Sequence, residues 1–153
     1  MKLQKILALD LALNCGWATS SPKIKFGTAT FRDTRFDGAG IRFLRFEQWL
    51  IDNGSDADLV VYEGVMNHSS LDAGHSYGGY LAILLKWSEH TRIPCGAFPV
   101  GTIKKFWTGN GAAKKDAMIK EAHRRGFNVS DDNQADALAI LHLGMQSYAG
   151  LLG

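Results

Sequence analysis

Near the start of the chain, Ile6-Leu7-Ala8-Leu9-Asp10-Leu11-Ala12-Leu13 sets a single carboxylate inside an otherwise apolar run. A short run with apolar side chains at both odd and even positions predicts a strand covered on both faces, here from Ile6 to Leu11. An ionised group inside such a strand costs several kcal/mol unless it meets a partner charge or a metal ion. Asp10 therefore calls for a structural partner or a chemical purpose. A second acid has a similar setting. Asp58-Leu59-Val60-Val61-Tyr62-Glu63 reads as another buried strand, and it ends on Glu63.

Around these two strands the chain alternates in type. Trp17 to Ser20 and Lys25 to Phe31 predict two further strands, with Asn14-Cys15-Gly16 and Ser20-Ser21-Pro22 as the turns. Gly38-Ala39-Gly40 opens a helix whose apolar face runs from Ile41 to about Asp52, and Asn53-Gly54 closes it. The glycine-rich stretch Ala73 to Gly79 predicts an irregular lead-in to a helix over Tyr80 to His90. Pro94 to Phe98 reads as a short strand, and Pro99 opens a short helix reaching Trp107. After the loop Thr108 to Gly111, Lys114 to Arg125 is amphipathic and Gly126 stops it. Asp131, with Gln134 three residues on, resembles a capping box and starts a last helix ending near Tyr148. The order βββαβαβααα predicts an α/β domain with a hairpin at one sheet edge. With no repeat, low-complexity stretch or linker, a single domain over residues 1–153 is expected.

Composition narrows the class. With 46% hydrophobic and 21% charged residues the chain suits a folded protein rather than a disordered one. Apolar stretches such as Tyr80 to Leu85 fall far short of the ~20 residues a bilayer span needs, so no membrane association is expected. Met-Lys-Leu-Gln-Lys leads straight into the first strand without the pattern of a signal peptide. Cys15 and Cys95 lack metal-site or CxxC spacing, which argues against a disulfide scaffold or zinc finger and fits a cytoplasmic setting. Net charge is +2, unevenly spread. From Thr102 to Gly126, Lys104, Lys105, Lys114, Lys115, Lys120, Arg124 and Arg125 stand against Asp116 and Glu121, a local +5 that leaves −3 for the rest. Such a stripe beside isolated acids suits a protein that grips a phosphate backbone and carries a metal site; a solvated helix face would look the same.

Near the start of the last helix, Asp132 and Asp136 lie four residues apart and so share a face, where like charges repel by roughly 0.2–0.5 kcal/mol. A divalent cation turns that repulsion into binding, and hard oxygen donors without a His/Cys set point to Mg²⁺ or Mn²⁺. Plainer roles exist. Asp132 could answer the helix dipole, Glu63 could be an ordinary strand-end charge, and Asp136 could sit at the edge of the apolar stripe Ala137-Leu138-Ala139-Ile140.

Taken in order, the segments resemble the RuvC-type Holliday junction resolvases of the ribonuclease H-like superfamily, in particular the compact versions carried by bacteriophages. Leu7-Ala8-Leu9-Asp10 with Gly16-Trp17-Ala18 is similar to the family's first motif, and Val60-Val61-Tyr62-Glu63 to the second. Ile103-Lys104-Lys105 with Gly109, Gly111 and Ala113-Lys114-Lys115 is similar to the lysine-bearing third block. Asp132-Asn133-Gln134-Ala135-Asp136-Ala137 is similar to the fourth. The resemblance covers nearly the whole chain. It implies a ribonuclease H-like fold with a mixed central sheet of about five strands, the first three antiparallel, flanked by helices. It implies Asp10, Glu63 and Asp136 as ligands of two Mg²⁺ ions, with Mn²⁺ able to substitute. Family members usually carry an Asp or His three residues before the last Asp, where this chain has Asn133. Asp132 is the expected fourth ligand, with Asn133 weaker and Asp131 as the cap. The family's aromatic wedge after the second acid has no direct match in Val65-Met66-Asn67, which leaves Met66 or Tyr77 for that role.

The resemblance implies a structure-selective endodeoxyribonuclease that resolves four-way and other branched DNA by two-metal hydrolysis. Lys104 and Lys105 are expected to grip backbone phosphates, and Lys114 or Lys115 to offset charge at the scissile phosphate. A two-fold junction needs two symmetric nicks, hence a homodimer, with the Gly74 to Gly79 stretch and the Tyr80 to His90 helix as interface candidates. His68 and His75, following the second acid, are further candidates for DNA contact, and His142 reads as a core-edge residue. A sugar-kinase or actin-like half-domain also starts with an Asp-bearing strand but needs a second lobe. A non-catalytic junction binder need not keep all four acids. A broader flap or branched-DNA nuclease is the nearest alternative.

Overall fold

The computed structural model describes residues 2–151. Five strands, β1 (Ile6–Asp10), β2 (Asn14–Thr19), β3 (Lys25–Thr30), β4 (Leu59–Gly64) and β5 (Cys95–Pro99), form one sheet in the order β3-β2-β1-β4-β5. The hairpin strands β1, β2 and β3 pair antiparallel, while β4 runs parallel to β1 and β5 parallel to β4. The helices are α1 (Ile41–Gly54), α2 (Leu71–Thr91), α3 (Val100–Thr108), α4 (Lys115–Arg124) and α5 (Asp132–Ser147). This is the mixed five-stranded sheet expected, with its first three strands antiparallel.

Strand periodicity sorts the core into two layers, because successive side chains point to opposite faces. Ile6, Ala8, Ala18, Leu59 and Val61 face the layer of α3, α4 and α5. Leu7, Leu9, Cys15 and Val60 face α1 and α2. Full burial of a side chain such as Ile6 or Leu50 contributes roughly 1.5–3 kcal/mol, so both faces carry the fold. Helix α5 is enclosed over most of its girth, with Ala135, Ala137, Leu138, Ala139, Ile140 and Leu141 all buried. Its small residues let it approach closely; a Cβ at Gly144 would stand 3.1 Å from a Val61 methyl.

Two local expectations give way to packing. The Asn14-Cys15-Gly16 turn is instead the start of β2, where Asn14 pairs with Thr30 and Gly16 with both Asp10 and Thr28. Turn preference here is weaker than a ladder on each side, and the chain reverses at Leu11 to Leu13, with β1 ending at Asp10. The stretch from Ala73 to Gly79 is helical, because α2 begins at Leu71 behind an N-cap in which Ser70 accepts from the Ala73 N–H at 3.1 Å. A helical glycine costs about 1 kcal/mol against alanine. At Gly79 packing requires one, since a Cβ there would strike the Phe43 ring of α1.

Candidate active site

Pleat parity gathers the acids. Asp10 follows Ile6 and Ala8, and Glu63 follows Leu59 and Val61, so both point toward the α5 layer. The parallel register places Leu9 opposite Tyr62, which brings Asp10 and Glu63 to the same end of adjacent strands. On its other side Asp10 pairs with Gly16. A Cβ at Gly16 would collide with the backbone carbonyl of Asn133, so only glycine lets the first turn of α5 rest directly on β2 beside Asp10. Asp131 fixes that turn in two ways. One carboxylate oxygen accepts from the Gln134 N–H at 2.8 Å, and the other accepts from the Thr28 hydroxyl of β3 at 2.7 Å. The Gln134 side chain completes the cap one residue earlier than a standard box, accepting from the Ser130 N–H at 2.9 Å.

The electrostatics show how near the acids are. Burial pushes the Asp10 carboxyl well above the usual carboxylate range, and the charges of Asp136, Glu63, Asp132 and Asp131 push it further. Asp136 is raised to about 7 by burial, then by Glu63 and Asp132, against the opposing pull of Lys104 and Lys115. Glu63 is raised by burial and eased back by Lys104. Among the described residues, no side-chain hydrogen bond or ion pair offsets the rise at Asp10. Of the candidates at the start of α5, Asp131 is engaged in capping and Asn133 presses its backbone on Gly16, while Asp132 couples to both Asp10 and Asp136.

All-carboxylate donors with enclosed, unbalanced negative charge fit a hard divalent cation such as Mg²⁺ or Mn²⁺. Among the described residues, no three His, Cys, Asp or Glu side chains are drawn together tightly enough to hold an ion as they stand. The acids share one neighbourhood without closing into a cage.

The basic residues divide. Lys104 on α3 is half-buried and close enough to lower both Glu63 and Asp136. Lys115 reaches within 3.5 Å of Asp132 while remaining largely in solvent. Lys105 and Lys114 are exposed. Arg124 is paired with Glu121 at 2.6 Å, and Arg125 lies 3.9 Å over the Trp107 ring and donates to the Trp107 carbonyl. Arg125 braces α3 against the end of α4, while Arg124 is paired within α4 and stays exposed, so part of the local +5 is already engaged. After Glu63, Met66 is 88% exposed. The Tyr77 hydroxyl is turned inward, donating to the Glu63 carbonyl at 2.7 Å and accepting from the Val65 N–H at 3.3 Å. His68 lies against the Tyr77 ring, and His75 is exposed. His142 packs between Trp107 and Phe127 with Nδ1 at 2.7 Å from the Leu138 carbonyl, the core-edge place its helix predicts. Sequence reasoning missed Thr28 and the close contact at Gly16. Thr28 carries no local signal; Gly16, opposite the one charged residue of β1, does.

No family model matches the chain. In sequence it is 29% identical over 92 residues to the crossover junction endodeoxyribonuclease RuvC of Anaeromyxobacter sp. (strain K), covering 58% of this chain and 48% of that one. The RuvC of Anaeromyxobacter dehalogenans (strain 2CP-C) gives 29% over 93 residues, covering 59% and 48%. The chain spans about half the length of these curated relatives. In structure it matches Thermus thermophilus RuvC with a TM-score of 0.74 at 17% identity, over 97% of this chain and 98% of that one. This is the ribonuclease H-like fold of the RuvC resolvases. T. thermophilus RuvC in complex with a Holliday junction substrate matches the RuvC-like fold at a TM-score of 0.72 and 17% identity, over 97% of each chain. The yeast mitochondrial Holliday junction resolvase Ydc2 matches at 0.64 and 12%, over 98% of this chain and 81% of that one. The chain resembles RuvC in sequence and shares its fold, which supports the resemblance first read from its four acid- and lysine-bearing segments.

Proposed function

We propose that this chain is a metal-dependent endodeoxyribonuclease that resolves Holliday junctions and other branched DNA. One observation carries the reading: Asp10, Glu63, Asp132 and Asp136, from two strands and a helix far apart in sequence, share one neighbourhood at one end of the sheet, where Lys104 and Lys115 offset part of their charge. The RuvC-like fold and the activity named for the relatives support it.

In this reading Asp10, Glu63, Asp132 and Asp136 hold two Mg²⁺ ions, or Mn²⁺ in their place. Bound there, the ions supply an activated water and stabilise the leaving 3′ oxygen of a phosphodiester. The protein's own groups do the rest. Asp10, on the central strand β1, would be one of the residues holding the ions. Lys115, within reach of Asp132, offsets negative charge near the cleaved phosphate. Lys104, Lys105 and Lys114 bind flanking phosphates along the same edge. Met66 offers an exposed apolar side chain beside Glu63 to press against unstacked bases. The substrate's two-fold symmetry calls for a homodimer making symmetric nicks. The protein would act in the cytoplasm; no helix of the described residues is long and apolar enough to cross a membrane.

The test is incubation of a labelled four-way junction with Mg²⁺, comparing wild type with Asp10→Asn. The expected result is a pair of symmetric nicks that the variant loses while still binding the junction. Preferential cutting of flaps or linear duplex would assign a broader branched-DNA nuclease, and binding without cutting in Mg²⁺ and Mn²⁺ would remove the enzymatic reading.

A further inference from the structure

The inward turn of Tyr77 gives it a task distinct from touching DNA. The β1–β4 ladder ends with Leu9 opposite Tyr62, one residue before Glu63. There the Tyr77 hydroxyl, from the first half of α2, takes hold of the departing chain, donating to the Glu63 carbonyl and accepting from the Val65 N–H. One phenol oxygen thus spans the backbone on both sides of Gly64. The His68 ring lies tilted at 45° against it, with a centroid distance of 5.2 Å. His68 lies close over Gly74, where a Cβ would stand 3.4 Å from its ring. The end of β4 and the loop that follows it are therefore tied back onto α2 through two hydrogen bonds and one ring contact.

The place matters because Glu63 belongs to a group of mutually repelling carboxylates. Glu63 lies one residue from the end of β4: it pairs with Phe98 of β5 on one side, while on the other the ladder with β1 has already stopped at Tyr62. Asp10 pairs with Gly16 of β2, and Asp132 and Asp136 sit on the capped helix, so Tyr77 adds its two hydrogen bonds at the acid whose ladder to β1 has ended. We infer that Tyr77, braced by His68, is a positioning residue that holds the strand end so that Glu63 faces the other acids and Met66 stands clear at the loop tip. The inference rests on the nuclease reading and assigns Tyr77 to that same site, as a support and not as a DNA contact.

Tyr77→Phe removes both hydrogen bonds and keeps the ring. Mn²⁺ affinity would be followed by calorimetry and by the Mn²⁺-induced rise in Tm, and junction cleavage by kcat and KM, for wild type, Tyr77→Phe, His68→Leu and Met66→Ala. The expected result for Tyr77→Phe is Mn²⁺ binding weakened about tenfold and kcat lowered about tenfold at saturating DNA, with KM within about twofold. His68→Leu, which keeps the hydroxyl, moves the same quantities by a smaller factor and covers the case in which Tyr77→Phe misfolds. Met66→Ala leaves Mn²⁺ affinity unchanged. Unaltered Mn²⁺ affinity in Tyr77→Phe and His68→Leu overturns the inference, whether Tm falls or KM alone rises. A wild-type chain that neither binds Mn²⁺ nor nicks the junction overturns the nuclease reading, and this inference with it. A wild type that does both while these two variants match it overturns the inference alone.

Discussion

Asp136 shows at the residue scale what function asks of stability. Its carboxyl, at 3.8 in an ordinary setting, is raised to about 7 in the folded protein, first by burial and then by Glu63 and Asp132. Between those values the native state keeps a proton that the unfolded chain has released. Stability contributed by this group is therefore complete below about 3.8 and is lost as pH rises toward 7. Replacing it with a neutral isostere removes that loss. In metal-free buffer at pH 8, Asp136→Asn is expected to melt higher than wild type, by on the order of 5 °C. The difference should vanish near pH 4, where wild type is also neutral at this position. Thermal melts across pH check this; a variant less stable than wild type at pH 8 would mean that the charged side chain has a partner. Asp10 and Glu63 are displaced in the same direction, so at these carboxyls protons compete with any cation that binds there.

At the element scale the decisive piece is α5. Its first two turns carry two of the four acids, and its start is held by three things: the Asp131 cap, the Thr28 bond across to β3, and the bare backbone of Gly16. Gly16→Ala inserts a methyl where the Asn133 carbonyl already lies. Neither group is a flexible side-chain end, so the helix start must lift off β2. Cleavage is expected to fall at least 100-fold, since misplacing a catalytic group by about 1 Å costs that much. Stability is expected to drop by about 1–3 kcal/mol from overpacking. Single-turnover cleavage with denaturant unfolding measures both. Wild-type rates in Gly16→Ala would show that the helix start tolerates the shift. Much of α5 could be read in advance: the capping pair Asp131 and Gln134 and the run of apolar residues after Asp136 announce where it begins. The extra two turns of α2 could not, because one of its glycines, Gly79, answers to the Phe43 ring, a residue more than thirty positions away.

At the scale of the whole molecule, Lys104 of α3 and Lys115 of α4 lie near the carboxylates at the end of the sheet, and their neighbours Lys105 and Lys114 are exposed. For a phosphate-gripping surface, each lysine removed should weaken junction binding about equally for all sequences and reduce the slope of log K against log salt by about 1. Lys105→Ala and Lys114→Ala, titrated against a four-way junction at several salt concentrations, should show this. Arg124→Ala should leave the slope unchanged, since Arg124 is paired with Glu121. The contrast also marks where charge arithmetic along a sequence stops being informative. The local excess from Thr102 to Gly126 is legible as a count, but which of its cations are already engaged depends on Trp107 beneath Arg125 and Glu121 beside Arg124. What the sequence determined by itself was the set of elements and the identity of the acids. Period-2 and period-3.6 patterning acts over a few residues, and a carboxylate in an apolar strand is costly wherever that strand ends up. What only the tertiary structure decided was how those acids meet. Gly16 against Asn133, Thr28 against Asp131 and Tyr77 against Glu63 are contacts between distant segments, governed by the space left when the layers pack, and no local signal encodes that space.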